Sequence, residues 1–274
     1  EAVLDMAGVG TGEAPPAGAA VGARLAKLDG LAKLNGAEAF GADAIPEDAL
    51  WLRVVRSPHA FARFTLGDLD AFVATHPGIA RVLTAADAPD NRYAIMPGRK
   101  DQPVLAEGLV RHRGEGVVAL VGKRAAIEAI PDADVPIAYE PLDAMLDIAS
   151  ATAPGAFQLH DDRPGNILAE GRVKKGDAQA AFKDCAAIAE GEFETAYVEH
   201  AYIEPEAGWA RRVGDKMEVH VSTQTPVMDR DEVADVLKLA KQDVRIIPTA
   251  CGGGFGGKLD LSVQPLVAVA AWLL

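Results

Sequence analysis

Val244-Arg-Ile-Ile-Pro-Thr-Ala-Cys-Gly-Gly-Gly-Phe-Gly-Gly-Lys258 is the stretch on which the reading of this chain turns. Its first six residues, Val244 to Thr249, are largely β-branched and apolar, which predicts a strand. The glycines on either side of Phe255 have no core-packing explanation, because glycine loses more backbone freedom on folding than any other residue. Pro265 to Leu274 is unbrokenly apolar and predicts a helix. The run Gly252 to Lys258 therefore reads as a strand-to-helix turn. Its free N–H groups, backed by a helix N-terminus, would cradle a ligand and favour negative charge.

Upstream, Met217, Val219 and Val221 alternate with Glu218, His220 and Ser222, the two-residue period of a strand with one buried face. Asp229 with Glu232 resembles a capping box. Behind it Val233, Val236, Leu237 and Ala240 share one helical face. The order strand, crossover helix, strand predicts two parallel neighbouring strands. The residues after each strand then emerge at one sheet edge. Those residues are Ser222 to Thr225 and Cys251 to Lys258. Gln224, an amide able to donate and to accept, is thereby placed opposite the glycine run.

Further upstream, strands are predicted at Leu50 to Val55, near Phe64 to Leu66, at Ala80 to Leu83, Gly116 to Val121 and Val135 to Tyr139. Helices are predicted at Leu69 to Thr75 and Arg124 to Ile130, and a polar loop at Asp87 to Gln102. The fold class is α+β. Residues 1–29, rich in Ala, Gly and Pro, read as a linker or extension, 30–147 as a first domain, 148–165 as a second linker, and 166–274 as a second domain. In that second domain a helix is predicted at Asp177 to Cys185 and a strand at Ala187 to Thr195.

The net charge of −13 argues against a nucleic-acid surface. No apolar stretch approaches the roughly 20 residues of a membrane span. Cys185 and Cys251 lack the spacing for a zinc or iron–sulfur site, and a reducing, cytoplasmic setting fits, with the periplasm left open. The chain opens on Glu1 without a signal-peptide pattern and closes inside an apolar helix, so both ends read as internal to a longer polypeptide.

Gly252, Gly254 and Gly257 fit GxGxxG, but the required downstream strand and acidic residue do not follow. Gly252, Gly257 and Lys258 fit GxxxxGK, with Leu259 in place of the magnesium-binding Ser or Thr. A phosphate or nucleotide module therefore stays open as an alternative, as does a purely structural role. The cluster Glu199 to Glu206 is either an acid/base site or a salt-bridged turn. No histidine pair has metal-ligand spacing, and His59 and His220 read as structural.

Cys251-Gly252-Gly253-Gly254-Phe255-Gly256-Gly257-Lys258, preceded by Val221-Ser222-Thr223-Gln224, resembles the molybdenum-binding large subunit of the xanthine dehydrogenase and aldehyde oxidase family of molybdenum hydroxylases. Arg56-Ser57-Pro58-His59-Ala60, Gly114-Glu115-Gly116, Tyr139-Glu140-Pro141-Leu142, Gly176-Asp177 and Glu199-His200 with Glu204-Pro205 match the family in family order. The resemblance implies an α/β hammerhead domain followed by the first part of a molybdopterin-binding domain. It implies that Gln224 hydrogen-bonds an oxo ligand of molybdenum, and that backbone at Gly253, Gly254, Phe255 and Gly256 lines the cofactor. No side chain here would ligate the metal directly.

The implied cofactor is molybdenum–molybdopterin cytosine dinucleotide, and the implied reaction is water-derived hydroxylation of an aldehyde or N-heterocycle. Electrons would leave through 2Fe-2S and FAD partners, on subunits or domains distinct from the remainder of the large subunit. The base glutamate of the family is expected beyond residue 274, which would leave the chain inactive alone. Leu259 stands where purine-oxidising members carry a glutamate, so it is a candidate substrate-pocket residue that disfavours xanthine.

Overall fold

The computed structural model describes residues 27–94 and 100–274. Most of the predicted linker 1–29, and part of the loop Asp87 to Gln102, lie outside the described residues. The chain is mixed α+β. A first short helix, α1 (Gly30–Leu34), precedes β1 (Trp51–Arg56), β2 (Ala62–Leu66), α2 (Leu69–Thr75) and β3 (Ile79–Leu83). Then come β4 (Arg92–Tyr93), β5 (Gln102–Pro103), β6 (Leu109–Val110), β7 (Gly116–Gly122), α3 (Arg124–Glu128) and β8 (Ile137–Pro141).

These strands form two antiparallel three-stranded sheets, β1-β7-β3 and β6-β2-β8, and a two-stranded ladder β4-β5. Strand β7 is central, and Val117 to Val121 are buried on both faces, as its continuous apolar run requires. Helix α2 begins where Asp68 accepts the Ala71 N–H at 2.9 Å, an N-cap, and buries Phe72. Helix α3 stops at Glu128 rather than at Ile130. Pro131 follows, and proline disfavours helical backbone in the residue before it. The turn Asp132–Asp134 delays the next strand by two residues, to Ile137.

The segment expected to be a linker carries α4 (Ile148–Thr152), capped by Asp147. The Asn166 side chain ties it together, donating to Ala151 O and Phe157 O and accepting from Leu159 N. After α5 (Ala178–Ala181) and a single turn at Phe182–Asp184, the strand expected at Ala187 to Thr195 does not form. Its alternation is genuine: Glu190, Glu192 and Glu194 fall on one side, Phe193, Thr195 and Tyr197 on the other. No strand among the described residues pairs with it, and a strand without a ladder is not stable. Phe193 is 92% exposed.

Strand β9 (Gly208–Val213) was not anticipated. It pairs antiparallel with β10 (Lys216–Val221) through the two-residue turn Gly214-Asp215, a hairpin signal legible in hindsight. Next come α6 (Pro226–Leu237), β11 (Val244–Pro248) and α7 (Gln264–Leu273). Strands β10 and β11 are parallel neighbours, with Val219 opposite Ile246. The predicted N-cap of α6 at Asp229 is corrected by four residues. Thr225 is the N-cap position and Pro226 follows, where proline's missing N–H costs nothing. Asp229 instead lies buried within the helix, accepting from Gln264 Nε2 at 3.1 Å. Ala240 lies beyond the helix, which ends at the left-handed Lys238.

The core is not partitioned at the second linker. Leu83, Tyr93, Leu105, Ala119 and Val121 from the first part pack in one cluster with Met217, Val219, Val233, Leu237 and Val269 from the second. A separate cluster around Phe64, Phe72, Val118, Leu120 and Ile127 fills the other side of the β1-β7-β3 sheet.

Candidate cofactor cradle at the ends of β10 and β11

The parallel pair delivers its two following loops to one edge, and Gln224 meets the glycine run there. Gln224 Oε1 accepts the Gly256 N–H at 3.1 Å and the Lys258 N–H at 3.3 Å, while Gln224 N donates to Lys258 O at 3.1 Å. Two N–H donors facing one end of an amide identify that end as oxygen. The Nε2 group is therefore left with no acceptor among the described residues. The Gly256 N–H, expected to face a ligand, is occupied by Gln224. Among the described residues, the N–H groups of Gly253, Gly254 and Phe255 have no protein acceptor. Unpaired donors thus gather at the run, next to carbonyls of Gly252 and Phe255 that also lack a protein partner among the described residues.

Glycine is required here by close neighbours. A Cβ on Gly254 would lie 2.4 Å from Gln224 Oε1, one on Gly252 2.5 Å from Glu204 Cβ, and one on Gly257 2.6 Å from Tyr202 Cε1. Gly253 and Gly256 have φ of 110° and 96°, and Phe255, at 51°, is left-handed as well. The turn closes with Gly257 N donating to Gly254 O at 2.7 Å, and Phe255 is 75% exposed. The run does not lead straight into a helix. Helix α7 begins only at Gln264, with Pro265 in its first turn, so no helix terminus backs the glycines.

Lys258 is only 2% exposed. Its Nζ donates to Glu204 Oε2 at 2.8 Å and Ser222 Oγ at 3.1 Å and lies 4.8 Å from the Tyr202 ring centroid. It is turned inward, away from any phosphate. Glu204 also accepts from Gly41 N at 3.1 Å, Gly252 N at 2.6 Å and Ser222 Oγ at 2.8 Å. Burial raises the Glu204 pKa, but the hydrogen bonds from Lys258, Gly252, Gly41 and Ser222 prevail and hold it below the usual carboxylate range. The segment at Gly41 is anchored further by Ala250 N donating to Ala39 O at 3.1 Å. The ionisable cluster is thus resolved in part: Glu204 is a partly buried latch. Glu206 accepts the Tyr202 hydroxyl, and that hydrogen bond pushes the phenol pKa up to about 12.

Leu259 adjoins the run, its Cδ1 3.9 Å from a Cβ built on Gly256, and its carbonyl accepts from Thr225 Oγ1 at 3.0 Å. Beneath it, Asp260 accepts from Gln102 at 2.6 Å, and burial raises its pKa. His220 stacks on Trp209 with centroids 3.8 Å apart, and His59 packs on Tyr139. Among the described residues no group of three His, Cys, Asp or Glu is arranged to hold a metal, and no helix is long and apolar enough to cross a membrane. Sequence reasoning missed Tyr202 and the latch role of Glu204. The signals available were the density of ionisable side chains there, which left a salt-bridged turn open, and the Glu204-Pro205 pair of the family resemblance.

Residues 159–274 match the molybdopterin cofactor-binding domain model, and residues 35–143 match the aldehyde oxidase and xanthine dehydrogenase a/b hammerhead domain model. The chain belongs to the xanthine dehydrogenase and aldehyde oxidase family of molybdenum hydroxylases. It is 36% identical over 251 residues to the nicotinate dehydrogenase large molybdopterin subunit of Eubacterium barkeri, covering 89% of this chain and 57% of that protein. With the xanthine dehydrogenase molybdenum-binding subunit of Escherichia coli O157:H7 it shares 26% identity, over 88% of this chain and 33% of the relative. Aldehyde oxidoreductase from Desulfovibrio gigas superposes with a TM-score of 0.80 at 26% identity, over 89% of this chain and 28% of that one. This member of the molybdenum hydroxylases thus spans little more than half, or about a third, of these relatives.

Proposed function

We propose that the chain is the cofactor-cradling part of a molybdenum hydroxylase large subunit that oxidises an aldehyde or N-heterocyclic substrate. The observation that carries the reading is the fixed sense of Gln224. Its oxygen is committed to Gly256 and Lys258, which leaves Nε2 as an unpaired donor, and the N–H groups of Gly253, Gly254 and Phe255 are likewise without a protein acceptor among the described residues. Unpaired N–H donors on the run and on Gln224 fit an anionic, oxygen-bearing guest. When bound, a molybdenum–pterin group supplies a two-electron oxidation with water as the oxygen source.

Within that reading Gln224 Nε2 orients the guest by a hydrogen bond, and the backbone of Gly253, Gly254, Phe255 and Gly256 shapes its bed. Lys258 and Glu204 hold the bed in place from below. The hammerhead unit is assigned to residues 30–147 and the cofactor-binding unit to 166–274. Leu259, apolar and next to the run, favours substrates without a charged purine edge. The cytosine dinucleotide form of the cofactor, 2Fe-2S and FAD centres on partner subunits or domains, a base glutamate from the remainder of the large subunit and a cytoplasmic setting complete the proposal. Cys185 and Cys251 are both free thiols and are too few to ligate an iron–sulfur cluster.

Metal analysis of the assembled protein, isolated with its partner subunits under molybdenum supply, tests the reading. Near-stoichiometric molybdenum and dye reduction with an aldehyde or a nicotinate-type heterocycle are expected. Absence of molybdenum, or tight ATP binding abolished by Lys258→Ala, would overturn it.

A further inference from the structure

Among the described residues, four that are not glycine have positive φ: Asn166, Ala201, Lys238 and Phe255. Lys238 ends α6 in the left-handed conformation common at helix termini, and Asn166 is held by its own side-chain hydrogen bonds. Ala201, at 53°, and Phe255, at 51°, have no such local account. A left-handed alanine is unfavourable on its own, and unexplained strain of this kind concentrates at functional sites. Ala201 and Phe255 lie on the two segments that meet at the glycine run.

With Ala201 left-handed, both of its neighbours rest on the run. A Cβ on Gly257 would lie 2.6 Å from Tyr202 Cε1 and 3.1 Å from His200 Nδ1, and one on Gly256 3.7 Å from His200 Nε2. The imidazole therefore lies along Gly256 and Gly257. Tyr202 is committed to Glu206 and to the Lys258 ammonium. The His200 ring is different. Its side chain is 46% exposed, and its nearest acidic oxygen, Glu199 Oε2, is 3.8 Å from Nδ1, beyond hydrogen-bond reach. In either neutral tautomer it carries one N–H, so donation needs no change of protonation.

We propose that His200 is a positioning residue of the cradle. On this inference, which rests on the functional reading above, its ring N–H adds a second side-chain hydrogen bond, alongside that from Gln224, to an anionic oxygen of the bound cofactor. The left-handed Ala201 is what holds the ring on the glycine face.

The test uses the assembled holoenzyme carrying His200→Gln or His200→Leu. Its readouts are molybdenum retained after gel filtration, the Mo(V) electron paramagnetic resonance signal, and the thermal melt of the cofactor-free forms. Glutamine keeps a donor and should retain the metal as wild type does. Leucine should lose it about tenfold more readily, as expected for one charge-assisted hydrogen bond, and its residual signal should have shifted g values with the melt unchanged. A leucine variant with wild-type retention and signal overturns the inference, as does a loss shared by glutamine that tracks a lowered melt. Molybdenum-free wild type overturns both this inference and the functional reading. Replete wild type with indifferent variants overturns this inference alone.

Discussion

Lys258 Nζ lies 2.8 Å from Glu204 Oε2 inside the protein, with the lysine side chain 1% exposed and the glutamate 12%. Through Glu204 the pair also grips Gly41 and Gly252, so one carboxylate joins the start of the first unit to the start of the glycine run. Removing one partner of such a pair strands a buried charge, which usually costs far more than the pair contributes.

Glu204→Gln and Lys258→Met should therefore each destabilise the fold by about 3–5 kcal/mol. The double variant should lose distinctly less than their sum, because the stranded charge is gone. Urea unfolding of all four proteins measures the coupling, and strict additivity would refute the latch.

The same pair sets a pH dependence. The folded-state pKa of Glu204 is depressed, so the folded protein binds its proton less readily than the unfolded chain does. The stabilisation is fully present above the ordinary glutamate pKa and is lost as pH falls through the lower folded value. The stability gap between wild type and Glu204→Gln should be flat from pH 7 to about 5 and close in more acidic solution. A gap that widened on acidification would show the sign to be wrong.

Gly254→Ala should disturb the cradle where a surface glycine does not. Its Cβ would be 2.4 Å from Gln224 Oε1, whereas a Cβ on Gly171 meets nothing within 4 Å. A loss of about 1–3 kcal/mol is expected for Gly254→Ala, as for overpacking, with Gly171→Ala near neutral. Thermal melts of the two variants decide the matter.

Gln224→Glu separates the two ends of the amide. A carboxylate still accepts from Gly256 and Lys258 but has no donor to present outward, and it adds a negative charge. Stability should change by less than about 1 kcal/mol, while molybdenum content of the assembled protein falls at least tenfold. Equal molybdenum in variant and wild type would contradict the assigned sense of Gln224.

Residues 186–199 are exposed and outside every helix and ladder, and such segments open first to proteases. A glutamate-specific protease should cut the 274-residue chain at Glu190, Glu192 or Glu194 before any site in β1 to β8. Mass spectrometry of the first fragments checks it, and early cleavage within the β1-β7-β3 sheet would count against the described packing.

Much of this was legible in the residues. The alternation of Met217, Val219 and Val221 and the apolar run at Val244 fixed two parallel strands, and with them the meeting of Gln224 and the glycines. Helix α2 was predicted to the residue, at Leu69 to Thr75, and Asp68 caps its start. What stayed hidden depends on distant partners. Glu204 reads as one acid among several until Gly41, Ser222 and Lys258 surround it. The strand at Ala187 has the right alternation but no neighbour, and a ladder is a property of two segments. The start of α6 was misplaced because Asp229 resembled a cap, whereas a buried bond to Gln264 accounts for it.

An amide whose oxygen is already spent has only one thing left to offer. Whatever settles against that amide must be able to receive. The polarity of a single side chain, locked from behind by Gly256 and Lys258, thus decides which kind of atom can sit against it before size or shape is consulted.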